Sequence, residues 1–443
     1  MSNKQIIQPK ILKGFRDYLP EVMIPRKNMI HKLEEVFESF GFAPIDTPTL
    51  EYTEILMGKG GEESDKQLFR FNDNGGRDVT MRFDLTVPLA RFAAQHYNEL
   101  GMPFKRYHIA PVWRGENTHK GRYREFYQCD FDILGTTSNT SDIEIASMIY
   151  SSISTLIKSD NFTIRFNNRM ILNGLMEKMS IQDKLTGVLR VIDKIYKEPE
   201  EKIVKELEEK VGLEKSQIDK ILEFVRLKGS NQEILDSLKS ILEGNELALK
   251  GVSNLEELIN TLVALDIPEK CLTIDLSIAR GLDYYTGTIF ETMLNDLPSI
   301  GSICSGGRYD NLAELYTTQT IPGVGASVGL DRLIAALEEL KLLESKVSPA
   351  DVLVTTMDGK YTMEYIKLAS ELRKAGVKTE VYTESKKLDK QLKYADRKSF
   401  KLVLINGSNE FEQNIVKIKN MVSGENLSVS RSELVDKVKS IIE

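Results

Sequence analysis

The residues with most chemistry to offer are crowded into one stretch, FKRYHIAPVWRGENTHKGRYREFYQCDFDILG, from Phe104 to Gly135. Arg114 and Arg122 carry planar guanidiniums that match the oxygens of a phosphate or a carboxylate. Phe126 offers a face to a flat ring, while Gln128 and Asp132 offer acceptors to donor groups. Together these types can hold a polyanion, a flat ring and a small polar ligand.

Their spacing says which elements must position them. Tyr107 to Trp113 is an apolar and aromatic run suited to a pleated, half-buried surface, so a strand is expected there. A polar loop without periodicity follows from Gly115 to Gly121. From Arg122 to Ile133 the chain alternates, with Tyr123, Glu125, Tyr127, Cys129, Phe131 and Ile133 on one face. Arg122, Arg124, Phe126, Gln128, Asp130 and Asp132 share the other. The pattern predicts a long antiparallel hairpin with one charged face, which is either a ligand surface or simply solvated.

Other segments carry related chemistry. In DVTMRFDLTVPLARFAA, Asp78 to Ala94, a strand runs into a helix with Asp84 and Thr86 at the junction. Thr86 is placed to cap that helix, and Pro88 to occupy its first turn. In RGLDYYTG, Arg280 to Gly287, a turn brings one cation and two phenols together, and a phenol can exchange hydrogen bonds with an imidazole nitrogen. Tyr284 and Tyr285 are neighbours, so on a strand one of them faces the core. SICSGGRYDNL, Ser302 to Leu312, reads as a glycine-rich turn. IPGVGASVGLDRLIAAL, Ile321 to Leu337, becomes a helix with Arg332 in its first turn. Gly323, Gly325 and Gly329 match a dinucleotide fingerprint only loosely, and no GxxxxGK[ST] loop occurs.

WRGE followed by GRYREF resembles motif 2 of the class II aminoacyl-tRNA synthetases, with Trp113 in the place of the usual Phe. YQCDFDILG, the DLT segment and RGLDYYTG resemble the histidyl-tRNA synthetases in particular. GASVGLDR resembles synthetase motif 3. The helix ending at Gly41 and the proline-bearing GFAPIDTPTLE resemble motif 1, which packs across a dimer axis, so a homodimer is implied.

The resemblance implies that L-histidine and ATP give histidyl-adenylate and pyrophosphate, and that histidine then passes to the 3′ end of tRNA(His). Arg114 would hold the α-phosphate and Arg332 the γ-phosphate. Phe126 would stack on adenine while Glu116 and Arg122 fix ATP. Asp84, Thr86 and Gln128 would receive the α-amino group of histidine, and Asp132 with Tyr285 its imidazole, with Arg114 and Tyr284 also in the histidine site. Arg280 would bridge the histidine carboxylate and the α-phosphate, making Arg280 and Arg114 the catalytic residues. His119 and Lys120, in the loop, would meet the acceptor end of the tRNA. Bacterial members usually carry Gln where His119 stands, which leaves open how the extra 5′ guanosine of tRNA(His) is read. ATP is expected as its Mg2+ complex, with no prosthetic group and no metal ligated by the protein.

These segments need a frame. From Ile30 to Phe40 apolar residues recur at helical spacing, and Gly41 follows as a left-handed cap. Residues 1–169 are expected to form the first part of an α+β catalytic domain, an antiparallel sheet flanked by helices. Residues 170–270, rich in Lys, Glu, Leu and Ile, read as a helical insertion, and 271–343 complete the catalytic domain. Residues 344–350, ESKVSPA, read as a linker. Residues 351–443 read as an α/β unit with strands near 351–357, 377–383 and 401–406. Between Lys386 and Lys401 seven basic residues face two acidic ones, against a whole-chain charge of −7. That local enrichment reads as a patch for nucleic acid. The unit resembles the anticodon-binding domain of class IIa synthetases.

Composition excludes other classes. With 41% hydrophobic and 28% charged residues, the chain has an ordinary soluble globular balance. The N-terminal residues lack the apolar core of a signal peptide, and no apolar run is long enough to span a membrane, so a cytoplasmic location is expected. Cys129, Cys271 and Cys304 form no CxxC pair and no zinc spacing, which suits a reducing compartment. Two rival readings share parts of the pattern. A non-catalytic synthetase paralogue that regulates the first enzyme of histidine biosynthesis typically lacks the C-terminal domain and a complete RGLDYYTG. A kinase-like enzyme has no reason to pair the hairpin with that peptide.

Overall fold

The computed structural model describes residues 7–57, 66–195, 198–278, 284–343 and 346–442. Contacts divide the chain into two units, Met1–Arg16 with Ile30–Leu342, and Asp17–Met29 with Leu343–Glu443. Helix α1 spans Pro20–Ser39 and so begins well before the apolar periodicity. Its first turns contain Pro20 and Pro25, which argue against helix in the sequence. Pro20 is the first helical residue, where a missing N–H costs nothing. The far end closes as expected. Gly41 takes φ +79°, its N–H reaches the Glu38 carbonyl at 2.9 Å, and the Phe42 N–H reaches the Phe37 carbonyl at 3.1 Å.

Strands β1 (Ala43–Pro44) and β2 (Leu50–Tyr52), a short α2 (Thr53–Leu56), β3 (Arg70–Asn72) and β4 (Asp78–Met81) follow. Next come α3 (Thr86–Gln95), the hairpin β5 (Phe104–Trp113) and β6 (Glu125–Leu134), α4 (Asn139–Ile157) and β7 (Phe162–Asn168). Helices α5 (Arg169–Lys178), α6 (Leu185–Ile192), α7 (Glu200–Glu209), α8 (Lys215–Val225), α9 (Asn231–Ile241) and α10 (Glu246–Ala264) fill the chain up to β8 (Leu272–Ile274). Strands β9 (Thr288–Leu294), β10 (Cys304–Tyr309) and β11 (Gly323–Gly329) and helix α11 (Leu330–Glu339) complete the unit.

The main sheet runs β1-β5-β6-β11-β10-β9-β7-β8. All its central pairings are antiparallel, and only the edge pairs β1–β5 and β7–β8 are parallel. Alternation on β6 sorts its side chains as the sequence requires. Cys129, Phe131 and Ile133 are buried, and Phe131 meets Phe37 of α1 with ring centroids 4.9 Å apart. The even-numbered face is left for polar groups. Ser302–Leu312 departs from the expected turn, since most of it is strand β10. Its glycines serve close packing instead: a Cβ on Gly306 would come within 2.1 Å of the Gly325 carbonyl on β11.

The second unit contains β12 (Val352–Val354), α12 (Thr362–Lys374), β13 (Thr379–Val381), α13 (Leu388–Arg397), β14 (Leu402–Ile405), α14 (Ser408–Glu412), β15 (Ile415–Asn420), β16 (Asn426–Ser430) and α15 (Leu434–Ile442). Their order is β13-β12-β14-β15-β16, parallel through the first three and antiparallel thereafter. The sequence reading missed β15 and β16, whose outward Lys417, Lys419 and Ser428 disguise short half-buried strands. Apolar faces of β12, β14 and β15 pack on Tyr365, Leu368 and Leu372 of α12. On α13 only Gln391 and Ala395 are buried, leaving Lys390, Lys393 and Arg397 exposed.

Candidate active site

A cavity of about 440 Å³ lies in the first unit, over the even-numbered face of β6. Strand register builds its floor. Asp132 stands opposite Gly325 of β11, and Asp130 opposite Ser327. Any side chain at residue 325 would close the cavity, because a Cβ there meets Asp132 Oδ1 at 2.0 Å. On the other side, β5 pairs Arg106 with Asp132 and His108 with Asp130. Side chains directly across a ladder share a face, so a basic row and an acidic row lie side by side beneath the cavity.

Arg106 is fully buried and forms an ion pair with Asp132 at 2.6 Å. Tyr309 of β10 donates its hydroxyl hydrogen to Asp132 Oδ1. Burial raises the pKa of Asp132, while Arg106 and the Tyr309 bond oppose the rise. Asp130 is pushed up to about 7 by burial, with Arg106 opposing and Asp132 and Asp84 adding repulsion. Burial likewise pushes Asp84 up to about 6, against the amide of Val87 and the Arg114 and Arg106 charges. His108 moves the other way, down to about 4, through burial and the Arg106 and Arg82 charges. It is therefore uncharged at neutral pH, and too weak a base to hold a proton there.

Asp84 sits where β4 gives way to α3. Its Oδ1 accepts the Val87 N–H at 3.1 Å, so Asp84, not Thr86, bonds the helix terminus. Thr86 is already the first helical residue, past the capping position, and its hydroxyl is spent on Tyr284. Tyr284 and Tyr285 both line the cavity, edge to face at 5.0 Å. Both also pack against the core cluster of Leu89, Leu134 and Tyr309, and because strand β9 starts only at Thr288, strand alternation does not send them to opposite sides.

The mouth is built differently. Arg114, at the end of β5, donates Nε–H to the Phe83 carbonyl at 2.8 Å and lies 5.1 Å from the Phe126 ring centroid. Glu116 and Arg122 form an ion pair across the loop. Burial disfavours the Glu116 charge, yet the Arg122 bond and the Arg114 and Arg332 charges outweigh it and hold the carboxyl below its ordinary range. The N-terminal segment around Gly14 and Arg16 docks here. Arg124 N–H bonds the Gly14 carbonyl at 2.9 Å, and Asp331 accepts from Arg16 at 2.7 Å and from the Tyr127 N–H at 2.8 Å.

Of the residues singled out from sequence, Asp84, Thr86, Arg114, Glu116, Arg122, Gln128, Asp132, Tyr284 and Tyr285 line this one cavity. Phe126 and Arg332 do not. Phe126 lies beside Arg114, and Arg332 bonds the Ser302 carbonyl at 2.6 Å while its charge still reaches Glu116. His119 and Lys120 are exposed loop residues, with Lys120 paired to Glu339 at 2.7 Å. Arg280 lies outside the described residues. Arg106, Asp130, Tyr309 and Glu291 gained no role from sequence. Register with Asp132 is the signal that finds Arg106, and alternation along β6 the one that finds Asp130. Among the described residues no cluster of His, Cys, Asp or Glu is arranged to hold a metal ion.

With the geometry in place, the chain can be set beside known proteins. A family profile described as histidyl-tRNA synthetase matches residues 14–333, and one described as an anticodon binding domain matches residues 351–441. A histidine–tRNA ligase of Rhodopirellula baltica is 55% identical over 427 residues, 96% of each chain. That of Clostridium tetani is 47% identical over 440 residues, 99% of each chain. The crystal structure of a histidyl-tRNA synthetase from Nostoc sp. superposes with a TM-score of 0.88 at 34% identity, covering 98% of this chain and 100% of that one. A Bacillus halodurans structure described as an ATP phosphoribosyltransferase regulatory subunit/histidyl-tRNA synthetase shares the fold, with TM-score 0.73 at 22% identity, over 88% of this chain and 97% of that one.

Proposed function

This chain belongs to the histidyl-tRNA synthetase family, and from that premise we infer how its site works. It is a histidine–tRNA ligase. The histidine carboxylate attacks the α-phosphorus of ATP, pyrophosphate leaves, and the terminal adenosine of the tRNA takes the histidyl group from AMP. Such a reaction needs alignment and cations on developing charge more than a protein nucleophile.

One observation carries the reading. Asp84 Oδ2 and Gln128 Oε1 are buried acceptors without a hydrogen-bond partner, and both residues line the cavity. Buried acceptors left unpaired are costly, so the site is organised for a ligand rich in donors. An amino acid with an α-ammonium and an imidazole meets that need, and Arg114 at the mouth meets its carboxylate or the α-phosphate. Asp132, fixed by Arg106 and Tyr309, accepts an imidazole N–H, and Tyr285 takes the second ring nitrogen. ATP, as its Mg2+ complex, lies toward the mouth with Arg122, Glu116, Phe126 and Arg332. Arg280 bridges carboxylate and α-phosphate.

The tRNA acceptor end meets His119 and Lys120, and the exposed basic face around α13 contacts the anticodon arm. The protein works as a cytoplasmic homodimer. The non-catalytic paralogue has support at the level of fold alone. Histidine-dependent ATP–pyrophosphate exchange tests the reading. Exchange with L-histidine and with no other proteinogenic amino acid is expected, and its absence overturns the reading.

A further inference from the structure

The family pattern assigns the α-ammonium to Asp84, Thr86 and Gln128, but the buried floor contains another acceptor that the pattern leaves idle. Asp130 is 2% exposed, lines the cavity between Gln128 and Asp132 on β6, and has Oδ1 without a hydrogen-bond partner. Its neighbours explain why Oδ1 stays unpaired. Across β5 stands neutral His108, whose Nε2 is committed to Asp46 at 2.9 Å. Across β11 stands Ser327, whose hydroxyl accepts the Gln128 side-chain N–H at 3.2 Å and has a single hydrogen to give the Asp130 carboxylate, which leaves Oδ1 over. The buried cation Arg106 attracts Asp130 but is ion-paired to Asp132 at 2.6 Å.

An ammonium has three donors and no acceptor. The acceptors left unpaired around this cavity include Asp84 Oδ2, Gln128 Oε1 and Asp130 Oδ1, while the Thr86 hydroxyl is engaged by Tyr284. Alternate residues on a strand are roughly 7 Å apart. An amino acid lying along β6, with its imidazole at Asp132 and its amine toward Gln128, therefore passes directly over Asp130. Asp84 and Asp130 are also near enough to repel each other, which a cation between them relieves.

Resting on the histidine reading above, we propose that Asp130 is a substrate-binding residue whose Oδ1 accepts the third N–H of the histidine α-ammonium. Asp130 thereby helps decide that the ligand is an amino acid rather than any imidazole.

The test compares wild type with Asp130→Asn and Asp130→Ser in histidine-dependent pyrophosphate exchange. Competitive inhibition is measured with histamine, which keeps the ammonium, and with imidazolepropionate, which lacks it. Losing a charge-assisted bond to a buried ammonium should raise the KM for histidine and the Ki for histamine about 10- to 100-fold. The Ki for imidazolepropionate and the KM for ATP should hold within about twofold of wild type, inside the spread of an uninvolved residue. An unchanged histidine KM overturns the assignment. So does an equal loss with both inhibitors, which places Asp130 under the imidazole, or a parallel loss for ATP, which makes it structural. A wild-type protein without histidine-dependent exchange instead overturns the functional reading itself.

Discussion

The floor of the cavity and its mouth are made from the same hairpin, yet their charges live in opposite circumstances. On the floor, Asp84, Asp130 and Asp132 are buried beside the buried guanidinium of Arg106, and several acceptor atoms have no partner. At the mouth, Glu116 is paired with Arg122, and Lys120 with Glu339. The exposed Lys120 pair contributes little to stability, and the Glu116–Arg122 pair keeps its carboxylate charged despite partial burial. Unpaired buried acceptors destabilise the empty protein and are relieved only by a ligand of the right donor pattern. The difference separates two duties: the floor selects the amino acid, and the mouth handles phosphates and tRNA.

The comparison breaks most visibly at Arg114. Removing the cation between floor and mouth with Arg114→Ala should lower the rate of pyrophosphate exchange about 10²–10³-fold, as for loss of a preorganised donor to developing charge. Rates measured at saturating histidine and ATP check this, and a loss confined to KM reassigns Arg114 to ground-state binding.

A second effect follows from the cost of the floor. Asp130 is held at about 7 against an ordinary value near 4, so between those limits the folded protein binds a proton that the unfolded chain does not. Its destabilising effect is absent below the lower value, grows as pH rises and is complete above about 7. Asp130→Asn should therefore unfold at a higher temperature than wild type at pH 8, by an amount equivalent to a few kcal/mol. The advantage should fade as pH falls toward 4. Asp84 and Asp132 repel the Asp130 charge while Arg106 and Arg82 attract it, so its removal eases the first pair and leaves the second less compensated, and the difference reports that net effect; His108, across the ladder, stays neutral above about 4. A variant less stable than wild type at pH 8 contradicts a strained floor.

The smallest effect belongs to the loop. His119→Ala should leave pyrophosphate exchange intact and lower charging of tRNA(His) about two- to fivefold, the size of one exposed hydrogen bond. Comparing tRNA with and without the extra 5′ guanosine, at one salt concentration, sharpens the assignment. An equal loss on both points to a phosphate contact, and no loss on either leaves His119 a solvated loop residue.

Much of this was legible beforehand because period-two alternation is local. Gln128, Asp130 and Asp132 share a face by spacing alone, and the structure puts all three on the cavity. Arg106 and Tyr309 were not legible. Arg106 precedes an apolar run that drew attention away from it, and its meeting with Asp132 depends on hairpin register. Tyr309 reaches Asp132 from a strand that the glycines of Ser302–Leu312 disguised as a turn. The N-terminal Gly14 and Arg16 needed partners at Arg124 and Asp331, far along the chain. Local pattern places residues on faces, whereas partners across strands decide which of them stay unpaired.

The division between floor and mouth is tested most directly by Asp132→Asn, with histidine and ATP varied in turn in pyrophosphate exchange. The KM for histidine should rise about 10- to 100-fold while that for ATP stays near wild type, because only histidine presents an N–H to that oxygen. Equal movement of both constants would contradict the account and make Asp132 a structural partner of Arg106.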